Sequence, residues 1–348
     1  MSQIASDNIR KTWRNQSPGS LIPLFLSYTK PSGRLSSGTF IEALRADREF
    51  LTQALQENGL LIIRGTPLEG PHDFKKAVFA FNEDVMEYLS GARVRDPHDP
   101  EQLVYVPTAV PSYLPNLLHS EQAYQINIPS KIAFFCKKAS PFGGTSRFGD
   151  AAAINDSLST ELKERFQQKQ LRFDRSLICQ GGVIQFLSRF TKALSVAVSW
   201  QVNFATRDRN QVEAICRKNA QAFQWMPNGD LQLQTTISPT RVHPLTGKRC
   251  WLNSAHLFQI HPGVYSWVFC MVAKLYFKIS GRTPSICRFG DGSEIPKADI
   301  DQILNHLEAH TFTEHLNPGD LVFVDNHRIL HGRDRFFGPR RLYFAMYR

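Results

Sequence analysis

Apolar residues in this chain come in short runs, and none approaches the ~18 uninterrupted positions of a membrane-spanning helix. The densest are Leu60-Leu61-Ile62-Ile63, Ile132-Ala133-Phe134-Phe135-Cys136, Leu321-Val322-Phe323-Val324 and the stretch Arg341 to Tyr347. Runs this short, bounded by turn residues, read as buried strands. The turns are explicit: Gly59 and Gly65 around the first, Pro141-Phe142-Gly143-Gly144 after the second, Asn317-Pro318-Gly319-Asp320 before the third. The expected fold class is therefore mainly β with flanking helices (α+β).

Helical periodicity accompanies these strands. Asp47 to Asn58 places Phe50, Leu51, Ala54 and Leu55 on one face, with Gly59 as C-cap. His72 to Tyr88, Ala151 to Lys169, Val212 to Ala222 and Ala298 to His310 are expected helices; His119 to Tyr124 and Lys131 to Lys137 are expected strands. Residues 1–46 read as an N-terminal arm, polar over the first 38 and carrying Pro18, Pro23 and Pro31. Residues 89–118 are loop-rich. No internal repeat is visible. At ~150 residues per domain, 348 residues suggest two, but one large β-rich domain over 1–348 fits equally well.

Composition enters as an exclusion. With 42% apolar and 21% charged residues, the chain is not a disordered tail. Forty-one Lys and Arg against 31 Asp and Glu leave +10. That excess is compatible with nucleic acid, an anionic membrane, an acidic protein or anionic small molecules. No basic run of five exists, so there is no basic tail. The N-terminus lacks a charged segment followed by an apolar one, and six scattered cysteines show no C-x-x-C. A reduced, cytoplasmic protein is expected.

The chemistry-bearing signal is His119-Ser120-Glu121 with a late His331. On a strand, residues i and i+2 face the same side, so His119 and Glu121 are expected to project together. His331 would complete two histidines and one carboxylate on one face of a metal, the donor set of non-haem Fe(II) oxygenases. Alone, an H-x-E tripeptide is a weak signal. His306 and His310, one turn apart, read as a solvated helix face, since the intervening Glu308 is misplaced for H-E-x-x-H. Asp325 and Asn326 read as turn residues ahead of His331.

Blocks around these residues carry a resemblance. VYVPTAVPSYLPNLLHSEQAY (104–124), PSKIAFFC (129–136), GGTSRFGD (143–150) and GDLVFVDNHRILHGR (319–333), followed by Arg340-Arg341-Leu342, stand in this order. Over roughly 47–348 the chain resembles the Fe(II)/2-oxoglutarate dioxygenases of the taurine dioxygenase and clavaminate-synthase-like family. The branch it looks most like includes amino-acid hydroxylases of secondary metabolism. The resemblance implies a double-stranded β-helix (jelly-roll) core, with residues 150–250 forming an insert or lid.

It also implies an oxidoreductase using Fe(II), O2 and 2-oxoglutarate, with His119, Glu121 and His331 as metal ligands. An Arg fork would hold the far carboxylate of 2-oxoglutarate. Arg340 and Arg341 are the candidates; the family's Arg-x-Leu pattern favours Arg340, and a one-residue slip favours Arg341. A hydroxyl would assist, from Ser146 where the family has Thr, or from Thr145 if the alignment slips. Thr108, Tyr124, Asn253, His256 and Arg333 are candidate substrate contacts. The implied reaction is hydroxylation of a C–H bond in a small polar substrate, an amino acid or derivative, free or tethered to an acidic carrier protein, releasing succinate and CO2. Desaturation or cyclisation by the same chemistry is the alternative, while Glu121 argues against halogenation. Other readings are a basic binding protein with an inactive oxygenase fold, and an oxygenase acting on nucleic acid or protein. Neither a nucleic-acid nor a membrane partner is expected.

Overall fold

The computed structural model describes residues 10–14, 23–29, 33, 35–87, 103–106, 110–179, 199–281 and 283–348. Its largest sheet has seven strands, in the order Arg10–Arg14, Leu24–Thr29, Leu60–Arg64, Leu321–Asp325, Lys131–Lys138, Arg341–Tyr347 and Val85–Met86. Neighbours run antiparallel, except that Leu24–Thr29 and Leu60–Arg64 are parallel. A second sheet of four antiparallel strands runs Phe312–Glu314, Ser146–Asp150, Ile329–Arg333, Asn116–His119.

These pairings explain why the central strands are continuous apolar runs instead of alternating ones. Leu61, Ile63, Ala133, Phe135, Leu321 and Phe323 point into one core, with Phe40, Leu44, Leu51, Leu55, Phe74 and Phe81. Those partners lie on helices Ser37–Ala46, Arg48–Asn58 and Pro71–Phe81, which cover the outer face. Leu60, Ile62, Ile132, Phe134, Val322 and Val324 point the other way and meet Phe148 and Ile329 of the second sheet. A strand buried on both faces cannot alternate with polar residues. Each such side chain contributes about 1.5–3 kcal/mol by leaving water.

Helix ends follow the local chemistry. Gly59 caps Arg48–Asn58 in the left-handed conformation at φ 74°. The helix expected over Ala151 to Lys169 is two, Ala151–Ser157 and Thr160–Lys169. Asp150 caps the first, accepting from Ala152 N–H and Ala153 N–H; Ser159 caps the second, accepting from Leu162 N–H. A serine whose hydroxyl takes a backbone N–H starts a new helix more readily than it continues one. The helix expected over His72 to Tyr88 stops at Phe81, and residues 85–86 join the large sheet. The helix expected over Val212 to Ala222 is Arg209–Lys218, capped by Asp208.

A third sheet, Ala222–Trp225, Leu231–Ile237, Leu171–Leu177 and Ile286–Phe289, is antiparallel and accounts for much of the strand-rich middle of the chain. Helix Trp267–Ser280, absent from the expected elements, is rich in apolar residues along its length. Its Trp267, Met271, Leu275 and Ile279 are exposed. No helix among the described residues is long and apolar enough to cross a membrane. All six cysteines are free thiols.

Gly332 lies where strand Ile329–Arg333 meets the edge strand Asn116–His119. A Cβ there would stand 2.4 Å from the Asn116 carbonyl oxygen, a backbone atom that cannot swing aside. Gly332→Ala is therefore expected to cost roughly 1–3 kcal/mol through overpacking. Chemical denaturation should show a lower midpoint, and an unchanged midpoint would refute this close approach.

Candidate metal centre

His119 ends strand Asn116–His119, and His331 lies on the adjacent strand Ile329–Arg333. The two are direct register partners, with ring centroids 4.4 Å apart. His119 Nδ1 lies 2.8 Å from the Leu117 carbonyl, so this nitrogen carries the proton and Nε2 keeps its lone pair. The Phe134 ring of the large sheet packs against His331, with centroids 5.4 Å apart.

Glu121 arrives by a different route from the one its spacing suggested. The strand expected over His119 to Tyr124 ends at His119, and residues 121–124 form a turn in which Gln122 has φ 58°. Strand alternation therefore does not bring His119 and Glu121 to one side; the turn does. Glu121 is buried, and its Oε2 is 3.9 Å from His331 Nε2. One ligand atom from each of His119, Glu121 and His331 lies within 4.8 Å of the others. Two imidazoles and a carboxylate suit a divalent metal such as iron and leave coordination positions open.

The centre borders a cleft between the two sheets, lined by Ser146, Phe148, His331 and Arg333 from the second and by Phe134 and Leu342 from the first. Arg340 lines it as well. Burial depresses the pKa of its guanidinium, and among the described residues no carboxylate pairs with it. Its guanidinium carbon is 5.5 Å from the Phe336 ring centroid. Arg341 is exposed, and its strand position pairs with Lys138 across an irregular register. Ser146 is buried in the cleft wall; Thr145 is outside the lining, and its carbonyl accepts from Asp334 N–H at 2.9 Å. A buried cation that pairs with no carboxylate among the described residues, beside a two-histidine, one-carboxylate cluster, fits a chelating dianion such as 2-oxoglutarate.

The candidate substrate contacts are distributed unevenly. Tyr124 is buried against Phe258 and Phe173, with the Arg175 guanidinium 4.9 Å above its ring. Arg333 donates to the Val110, Pro111, Leu114 and Asp334 carbonyls while lining the cleft. His256 Nε2 lies 2.9 Å from the Leu118 carbonyl, and burial pushes its pKa down to about 4, so the ring is neutral and donates there. Asn253 spends its amide on the chain itself, donating to Pro239 O and accepting from Ala255 N–H. Thr108 lies outside the described residues. His306 and His310 are engaged locally, with Ser157 Oγ and the His306 carbonyl. Two contributors carried no spacing signal: Phe134, hidden in an apolar run, and Asn326, which is wholly buried and hydrogen-bonds the Ser120–Glu121 segment.

Comparison with known proteins agrees with this geometry. A family profile, taurine catabolism dioxygenase TauD, TfdA family, matches residues 31–347. The dapdiamide synthesis protein DdaC of Enterobacter agglomerans is 28% identical over 300 residues, 85% of this chain and 84% of that protein. A clavaminate synthase-like protein of Arabidopsis thaliana is 24% identical over 316 residues, 90% of this chain and 88% of that one. Among solved structures, PvcB of Pseudomonas aeruginosa, an Fe, alpha-ketoglutarate dependent oxygenase from an isonitrile synthetic pathway, shares the fold. It has TM-score 0.50 and 14% identity, covering 100% of this chain and 94% of PvcB. With the profile spanning most of its length, the chain belongs to the TauD/TfdA dioxygenase family and is an iron- and 2-oxoglutarate-dependent dioxygenase.

Proposed function

We propose that this protein hydroxylates an unactivated C–H bond of a small polar molecule, an amino acid or derivative, with His119, Glu121 and His331 holding the iron. The observation that carries this reading is the convergence of those three side chains beside Arg340, a desolvated cation. Two relatives bear names from biosynthesis, DdaC from dapdiamide synthesis and PvcB from an isonitrile pathway, which supports a small natural-product precursor as substrate. We read the whole chain, 1–348, as one oxygenase domain. The two sheets that sandwich the cleft are its double-stranded β-helix, residues 1–46 its arm, and the 150–250 region the insert on the substrate side.

Iron bound there supplies the oxidising chemistry, by which substrate, 2-oxoglutarate and O2 become hydroxylated product, succinate and CO2. The protein's own groups prepare that event. The Leu117 carbonyl holds the Nδ1 proton of His119 and so aims Nε2 at the metal. Arg340 receives the far carboxylate of 2-oxoglutarate, and the Ser146 hydroxyl donates a second hydrogen bond to it. Phe134 and Leu342 keep that part of the cleft apolar, which strengthens the guanidinium–carboxylate attraction by excluding water. Arg333 ties residues 110–114 to the cleft wall through their carbonyls, fixing one edge of the opening.

Three outcomes test this. Glu121→Ala should reduce succinate formation by more than the roughly 100-fold that loss of an outer partner of a metal ligand costs; full turnover would remove Glu121 from the metal. Arg340→Ala should raise the KM for 2-oxoglutarate about 10- to 100-fold, the equivalent of a charge-assisted hydrogen bond worth about 1.5–3 kcal/mol, while Arg341→Ala leaves it near wild type. The reverse result would move the role one residue on. A screen of amino acids, free and carrier-bound, read by succinate release and product mass, should find a product heavier by one oxygen. Loss of two hydrogens would instead indicate desaturation or cyclisation. Turnover confined to carrier-bound substrates and weakened by salt would identify an acidic carrier as partner.

A further inference from the structure

The Asn326 side chain is wholly buried, and its amide has partners on both ends. Oδ1 accepts from the Glu121 N–H at 2.8 Å and lies 3.1 Å from Ser120 Oγ. Nδ2 donates to the Glu121 carbonyl at 3.1 Å and to the Pro129 carbonyl at 2.8 Å. One side chain thus takes both backbone groups of Glu121, as a residue of a neighbouring antiparallel strand would. Asn326 is itself anchored, since its N–H donates to Ser130 O at 3.0 Å and its carbonyl accepts from Ser120 Oγ at 2.8 Å.

The need for such a clamp follows from where the strand stops. His119 and His331 are held opposite each other by the pairing of their strands. Glu121 is past the end of that pairing, and Gln122 turns the chain away at φ 58°. Among the described residues no strand pairs with Glu121, so the direction of its backbone is set by the turn and by bonds from outside the sheet, those of Asn326 included. Asn326 stands between strand Leu321–Asp325 and the strand carrying His331, so a bond from it to Glu121 fixes the carboxylate relative to His331.

We propose that Asn326 is the positioning residue for Glu121: its amide takes both backbone groups of Glu121, as a strand partner would, and sets the third metal ligand in register with the other two. This rests on Glu121 being a ligand. A merely structural asparagine would lower stability without acting through Glu121, and a double-mutant cycle on metal affinity separates the two.

Co(II) alone is titrated into the wild-type protein, Glu121→Ala, Asn326→Ala and the double variant, with its visible spectrum reporting the ligand set. Asn326→Ala should weaken Co(II) binding roughly 10- to 100-fold and shift the spectrum towards that of Glu121→Ala. The double variant should bind no more weakly than Glu121→Ala. Ser120→Ala, which leaves both Glu121 backbone bonds in place, should bind Co(II) close to wild type. Additive losses in the double variant, wild-type affinity in Asn326→Ala, or an equal loss in Ser120→Ala would each overturn the clamp. If Asn326→Ala does not fold, Asn326→Asp carries the same cycle, since it keeps the acceptor for Glu121 N–H and loses the donor to Glu121 O. Unchanged affinity in Glu121→Ala would overturn both the clamp and the metal-site reading; a loss there with wild-type affinity in Asn326→Ala overturns the clamp alone.

Discussion

The pairing of strand Ile329–Arg333 with strand Asn116–His119 is the interaction on which the rest of the site depends. It joins segments from distant parts of the chain and places His331 opposite His119. Around it the second sheet is assembled, with Ser146–Asp150 on the other side of Ile329–Arg333. The pairing tolerates no side chain at Gly332, which lies against the Asn116 carbonyl. A contact of such long sequence separation forms only after much chain entropy has been lost, so it relies on the apolar cores on both faces of the large sheet.

Those cores also set the electrostatics of the cleft. Phe134 and Leu342 from the large sheet and Phe148 from the second line the cleft, and Arg340 lines it with them. A guanidinium in that position loses hydration and gains no protein carboxylate among the described residues. On the proposed reading an anionic cosubstrate answers it, and the protein's excess of ten positive charges is then in part a local requirement. Arg333 and Arg64 show the opposite solution. Arg333 donates to backbone carbonyls, and Arg64 pairs with Asp320 and Glu314.

The two halves of the proposed ligand set are built by different physics. The histidines are placed by cross-strand register, which is rigid because a one-residue slip would turn every side chain over. The carboxylate is placed by a side-chain amide acting on a turn. This division explains how H-x-E was legible as a motif although its strand geometry was not. The spacing is right for the chemistry, but the i, i+2 rule that suggested it does not operate past His119.

Residue order alone determined that strands and helices are mixed, the short buried strands, the Gly59 cap and the resemblance carried by the His119–Tyr124 and Gly319–Arg333 blocks. These are local signals: periodicity, turn residues and contiguous motifs are printed in neighbouring positions. Tertiary structure alone decided that the helix after Asp150 is broken at Ser159. It decided too that Asn253 is spent on the backbone, that Arg340 lines the cleft while Arg341 faces solvent, and that Asn326 grips Glu121. Each of these depends on which distant group stands opposite a side chain, and that is fixed by sheet register and packing, which no stretch of neighbouring residues encodes.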